Sequence, residues 1–276
     1  MYESHWKLTT RPFENRVENQ FYYPAETHQA ALLKLHYAIE NRRSAALLCG
    51  PSGMGKSLVI NALQNQISSD ISPLCRVVFP MLPEDQLLRY IVNFLDKPNQ
   101  GSPREASADL ARFEHFLRKN VEANQHAVIL VDEAHMLEKQ GLLETLRLLL
   151  NVAATDAGAE SAWTLVLVGQ PTLLSHVERY HALDERMAVK CMLNRLLPEE
   201  TSAYIHHRLA AAGGAAEQIF EDRAIARIHV LTEGIPRRIN RICDLALMVG
   251  FAEDRDRITV GVIEDVHTDL AAPVMA

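Results

Sequence analysis

The chain has 276 residues, room for one large α/β domain and a small one, and 48% of them are hydrophobic, as a globular core requires. A net charge of −7 argues against a broad nucleic-acid surface. No run approaches the ~20 apolar residues that a membrane span needs, and MYESHWKLTT lacks a leader-type apolar core, so a cytoplasmic location is expected.

Residues 1–27 read as an irregular arm carrying Trp6, Phe13, Tyr22 and Tyr23. Aromatics this dense in a loop dock on a core, or wall a flat purine ring, with Tyr23, Tyr22 and Phe13 as candidates. His28 to Asn41 has helical spacing, and Ser44 to Cys49 (SAALLC) reads as a strand buried on both faces. Gly50-Pro51-Ser52-Gly53-Met54-Gly55-Lys56-Ser57 then matches G-x-x-x-x-G-K-[ST] at every fixed position. The glycines let backbone N–H groups converge on phosphate oxygens, and the helix that continues through Leu58 to about Ile67 adds its positive end. Lys56 is placed to reach the β- and γ-phosphates and Ser57 to bind Mg²⁺.

Leu74 to Phe79 is a second β-type run, followed by a helix from about Glu84 to Leu95, a loop from Asp96 to Pro103 and a helix from Ser107 to Asn124. Ala127 to Val131 (AVILV) is a buried strand ending in Asp132-Glu133. An acidic residue at such a strand end holds Mg²⁺ through its water shell, and Glu133 can act as base toward an attacking water. The tetrapeptide reads DEAH, but no other helicase motif accompanies it. Leu142 to Asn151 is an apolar helix, Thr164 to Val168 a fourth strand, and Pro171 to Leu183 helical. Gln170, at the end of that strand, either orients the lytic water or caps the helix. Arg186 either reaches a γ-phosphate across a subunit contact or pairs on the surface with Glu185 or Asp184. Strands alternating with helices imply a parallel sheet with ligands at the strands' carboxyl ends.

From Pro198 the pattern is all-helical: 198–212, 224–231, 237–251 and 260–270. Gly234-Ile235-Pro236-Arg237-Arg238-Ile239-Asn240-Arg241 opens one of these helices, and its arginines suit phosphate ligands, a nucleic-acid patch or a solvated face. Cys49, Cys75, Cys191 and Cys243 form no C-x-x-C pair and read as buried thiols.

Together these residues resemble an AAA+ ATPase. Gly50–Ser57 is similar to Walker A, ILVDEAH to Walker B, Gln170 to sensor 1, Arg186 to the arginine finger and Arg237 to sensor 2. More narrowly, HWKLTTRPFEN, LLETLRLLLN, LVGQPTLL and GIPRRINRICDLAL resemble the ExeA/GspA-type secretion ATPases, a branch that also resembles TnsC/TniB-type transposition ATPases. The likeness implies an α/β P-loop fold, a three-layer parallel sheet with a C-terminal all-helical lid. It divides into an arm (1–27), the ATPase domain (28–196) and the lid (197–272). It implies ATP and Mg²⁺ as ligands, the loop from Gly50 to Leu58 with Tyr23 and Arg237 on the nucleotide, and Lys56, Glu133, Gln170 and Arg186 in hydrolysis. Lys190 stands where a second arginine is expected, so Lys190 or Arg195 competes with Arg186 for the finger role. The expected activity is ATP hydrolysis at an interface of a homo-oligomeric ring or filament, driving a secretion or pilus assembly partner. The alternatives are a transposition regulator oligomerising on DNA and a slow nucleotide switch.

Overall fold

Five strands form one parallel sheet: Ala45–Cys49 (β1), Leu74–Val77 (β2), Ala127–Val131 (β3), Trp163–Gly169 (β4) and Met187–Met192 (β5), in the order β2-β3-β4-β1-β5. The computed structural model describes residues 1–15, 18–78, 80–96, 106–152 and 161–271. Phe79, most of the loop expected over 96–103, and residue 272 lie outside the described residues. The three central strands are buried at every position, as continuous Val/Ile/Leu runs require when both faces are covered. The edge strands alternate instead. In β5 only Cys191 is buried, while Ala188 and Lys190 are exposed. That weak pattern carries no strand signal, so the sequence alone implies four strands where the structure has five.

The chain divides into two compact units, Met1–Gln29 with Ser52–Ala62 and Asn194–Ala276, and Ala30–Pro51 with Leu63–Leu193. In the sheet unit, helices Glu84–Leu95 (α3), Ala106–Glu122 (α4) and Leu142–Leu149 (α5) bring Ile91, Phe113, Leu117 and Leu146 onto one side of the strands. Glu26–Glu40 (α1) begins in the other unit, and its later turns bury Leu35, Ala38 and Ile39. The apolar stretch after β4 forms two short helices, Thr172–Arg179 (α6) and His181–Asp184 (α7), because the chain leaves helical geometry at Tyr180 (ψ 75°).

The helical unit contains Pro198–Ala211 (α8), Ala216–Ile219 (α9), Asp222–Thr232 (α10), Pro236–Ala252 (α11) and Val260–Ala271 (α12), and receives the first turns of Lys56–Gln64 (α2). The short α9 was not expected from the sequence. The arm packs into this unit's own core through Tyr2, Trp6, Leu8, Phe13 and Phe21. Arg208 of α8 pins it there. Arg208 is 1% exposed, and its guanidinium donates to the carbonyls of Pro12 and Glu14 and stacks 4.7 Å from the centre of the Phe21 ring. Trp6 adds a 2.9 Å bond from Nε1 to the Leu247 carbonyl. A segment that reads as a loop is thereby anchored to the helices of its unit.

Candidate active site

Within the helical unit the loop Ser52–Ser57 turns on two glycines in the left-handed region, Gly53 (φ +83°) and Gly55 (φ +88°). A Cβ at Gly53 would stand 2.8 Å from Cβ of Arg237, so the position needs glycine for space as well as for backbone freedom. Arg237 lies in the first turn of α11. Its amide donates to the Gly53 carbonyl at 3.2 Å, and Nη1 approaches Ser52 Oγ at 3.4 Å. A second cation besides Lys56 is thus held against the loop by the start of α11. Lys56 is 8% exposed at the start of α2, where the helix dipole adds positive potential.

Beside the loop is a pocket walled by Tyr22, Tyr23, His28, Met54, Leu58 and Tyr204. Tyr23 meets Tyr204 edge-to-face, with ring centres 5.9 Å apart at 80°. His28, on the first turn of α1, is 5% exposed and donates from Nε2 to the Met54 carbonyl at 2.6 Å. Burial holds its pKa below the ordinary histidine value. Phe13, the third aromatic expected to face a base, lies instead in the unit's core, edge-on to Phe220.

In the sheet unit Asp132 and Glu133 follow β3 and Gln170 follows β4, its hydrogen-bonded neighbour, at the carboxyl end of the sheet. Gly50 and Pro51 follow β1 on the other side of β4, and the Gly50 amide donates to the Gly169 carbonyl at 3.2 Å. Asp132 is 7% exposed. One carboxylate oxygen accepts from the Glu133 amide at 3.0 Å and the other from Arg76 Nη2 at 2.7 Å. Glu133 sits in the left-handed region (φ 50°, ψ 33°), which is strained for a residue with a side chain. The bond from its own amide to Asp132 helps hold it there. Its exposed carboxylate lies 3.4 Å from His135 Nδ1. Gln170 is exposed, and its carbonyl accepts from Leu173.

A family model of the AAA domain matches residues 39–177. The chain is an AAA ATPase. It is similar to General secretion pathway protein A of Aeromonas hydrophila, with 33% identity over 265 residues, which is 95% of this chain and 47% of that protein. It therefore spans about half the length of that relative. Among solved structures it superposes on the ORC2 protein of Aeropyrum pernix in ADPNP-ADP complexes (TM-score 0.67, 17% identity, 96% of this chain and 72% of the other). It also superposes on the Thermotoga maritima RuvB Holliday junction branch migration motor (TM-score 0.56, 19% identity, 91% and 70%). These likenesses concern the fold.

Arg186 stands apart from Asp132, Glu133 and Gln170 of the sheet unit. It directly precedes β5, whose first residue pairs with Ala45 at the start of β1, so it lies at the amino end of the sheet. There it donates to Asn151 Oδ1 and approaches the Arg147 carbonyl. Lys190 is paired with Asp184, and Arg195 of the helical unit with Glu233. Sequence reasoning overlooked Arg76, His28 and Tyr204. A lone arginine in the β-type run LCRV beside an acidic strand end was a usable signal for Arg76. Nothing in the sequence marks Tyr204 beyond its helix. The four cysteines are buried thiols outside any disulfide, and burial pushes the Cys75 thiol up to about 12 and Cys191 to about 11. Among the described residues no cluster suits a resident metal held by His, Cys, Asp and Glu, and no helix is long and apolar enough to cross a membrane.

Proposed function

We propose that this AAA ATPase binds Mg·ATP at an interface between copies of itself and hydrolyses it to drive assembly or remodelling of a secretion-system partner in the cytoplasm. The observation that carries the reading is the phosphate loop itself: two left-handed glycines, a buried Lys56, and Arg237 hydrogen-bonded onto the same turn. Convergent N–H groups and two cations suit a polyphosphate, and the adjoining aromatic pocket suits a flat base.

In this reading the loop from Gly50 to Leu58 and Arg237 bind the phosphates, and Tyr23 flanks the base. Lys56 offsets the charge that develops on the γ-phosphate. Glu133 takes the proton of the attacking water, and Gln170 orients that water. Ser57 and Asp132 would hold Mg²⁺, which screens the phosphate charge when bound. The Asp132 carboxylate already binds a cationic group, Arg76, which supports its suitability for a cation. Arg186 acts on the nucleotide of a neighbouring subunit. The arm (1–27) and the ATPase domain (28–196) are completed by the helices of 197–272 acting as a lid. The secretion partner is inferred from the likeness to General secretion pathway protein A.

Lys56→Ala should lose ATP binding or at least turnover. Glu133→Gln should bind ATP and fail to hydrolyse it, because the amide keeps the shape and loses the base. Binding titrations and phosphate-release assays read both, and near-normal turnover in Glu133→Gln would remove that residue from the base role. Salt-dependent DNA binding would instead favour a DNA-targeting regulator, and turnover as slow as that of an unassisted GTPase would favour a switch.

A further inference from the structure

We infer that His28 selects the 6-amino group of adenine, with the Tyr22 hydroxyl serving the adjacent ring nitrogen. The inference rests on the proposal that the pocket beside the phosphate loop takes the base of ATP.

A peptide carbonyl can only accept a hydrogen bond, so the 2.6 Å contact between His28 Nε2 and the Met54 oxygen puts the imidazole proton on Nε2. Nδ1 is left with a bare lone pair. It is buried and has no hydrogen-bond partner among the described residues. Burial keeps the ring neutral at physiological pH, so Nδ1 stays an acceptor.

The second observation is independent. The Tyr22 hydroxyl, on a different segment, is also buried without a partner among the described residues. Both residues line the same pocket, whose remaining walls are largely aromatic and apolar. Buried polar groups in native proteins are nearly always paired, so two orphans on residues that line one cavity call for a ligand that pairs them. The edge of adenine offers an N–H donor on its exocyclic amine beside a ring nitrogen that accepts. An acceptor from His28 and a donor from Tyr22 complement that edge. Hypoxanthine and guanine present the reverse, an oxo oxygen beside an N–H, and would set acceptor against acceptor at Nδ1. Met54, which locks the tautomer, belongs to the phosphate loop, so base selection and phosphate binding share one turn.

The test is equilibrium binding of ATP, purine riboside triphosphate, which lacks the 6-amino group, and inosine triphosphate, which carries an oxo group there. Wild-type protein should bind ATP about tenfold more tightly than the purine riboside analogue and about a hundredfold more tightly than the inosine nucleotide. His28→Gln keeps an amide N–H for the Met54 carbonyl but places nothing at Nδ1. It should weaken ATP about tenfold and bind ATP and the purine riboside analogue alike. Tyr22→Phe should weaken ATP several-fold while preserving the preference at position 6. Equal binding of the three nucleotides by the wild type, or an intact ATP preference in His28→Gln, would overturn the inference. The wild-type panel decides even if the variant does not fold. Failure of the wild type to bind any of the three would instead overturn the proposed nucleotide site.

Discussion

Arg186→Ala isolates the proposed contact between subunits. Asp132 follows Val131, which is level with Leu167, Leu47 and, in β5, Lys190. Allowing for the extra residue where the β5 register shifts, Arg186 therefore lies four levels down the strand direction and three strands across. At ordinary strand dimensions these are about 13 Å and about 14 Å, a diagonal of roughly 20 Å. An arginine side chain reaches about 7 Å, so Arg186 cannot serve the acidic pair of its own sheet. The variant should keep ATP binding and lose about 10³-fold in turnover, or about 4 kcal/mol of transition-state stabilisation. Mixing it with Glu133→Gln provides the decisive assay. An interface works only where an intact Glu133 meets a neighbour's intact Arg186, so random one-to-one assembly should restore about a quarter of the wild-type rate from two inactive proteins. Phosphate release measured on the mixture, with co-assembly checked by light scattering, reads this directly. A mixture that co-assembles and stays inactive refutes the trans assignment and moves the role to Lys190 or Arg195.

Two predictions concern stability. Arg208→Met leaves the Pro12 and Glu14 carbonyls without their donor in a dry interior and should cost about 3 kcal/mol, read by urea unfolding. It should also expose the arm to limited proteolysis ahead of global unfolding. His126 is buried, its pKa lowered to about 4 by burial and then by Arg42, and it donates from Nε2 to Thr164 Oγ1 at 2.8 Å. The folded-state pKa lies below the unfolded value of about 6.5, so the unfolded chain binds the extra proton. Stability from this group is complete above pH 6.5 and declines as the pH falls toward 4, at up to about 1.4 kcal/mol per pH unit. His126→Gln keeps a donor for Thr164 and should flatten that part of the curve. Identical pH profiles for the two proteins would remove His126 as the cause.

Much of this molecule is legible in its residues because the signals are local. AVILV and TLVLV can only be strands buried on both faces, and the phosphate loop declares its turn through glycine spacing. What escaped depends on neighbours distant in sequence. β5 is an edge strand with one fully buried position, so MAVKCM carries no apolar run, and only its pairing with β1 makes it a strand. That omission hid a functional point. With four strands Arg186 is merely a residue after the last one, whereas the fifth strand places it at the foot of the sheet, far from its own acidic pair. The arm escaped for a similar reason, since the aromatic density of Trp6, Phe13, Tyr22 and Tyr23 promised docking without saying on what.

His28 and Tyr22 show a third kind of omission. A histidine near a helix start and a tyrosine in a loop have no motif, and their meaning lies in atoms left unpaired. The bond to Met54 accounts for one imidazole nitrogen, and the unmet need of the other becomes visible only when every buried polar atom is accounted for. A fold conserves hydrogen bonds it can close within itself. Those it leaves open beside a phosphate loop are where a ligand's own donors and acceptors are read, so the proposed discrimination between purines falls to side chains outside the loop that are anchored to it at Met54.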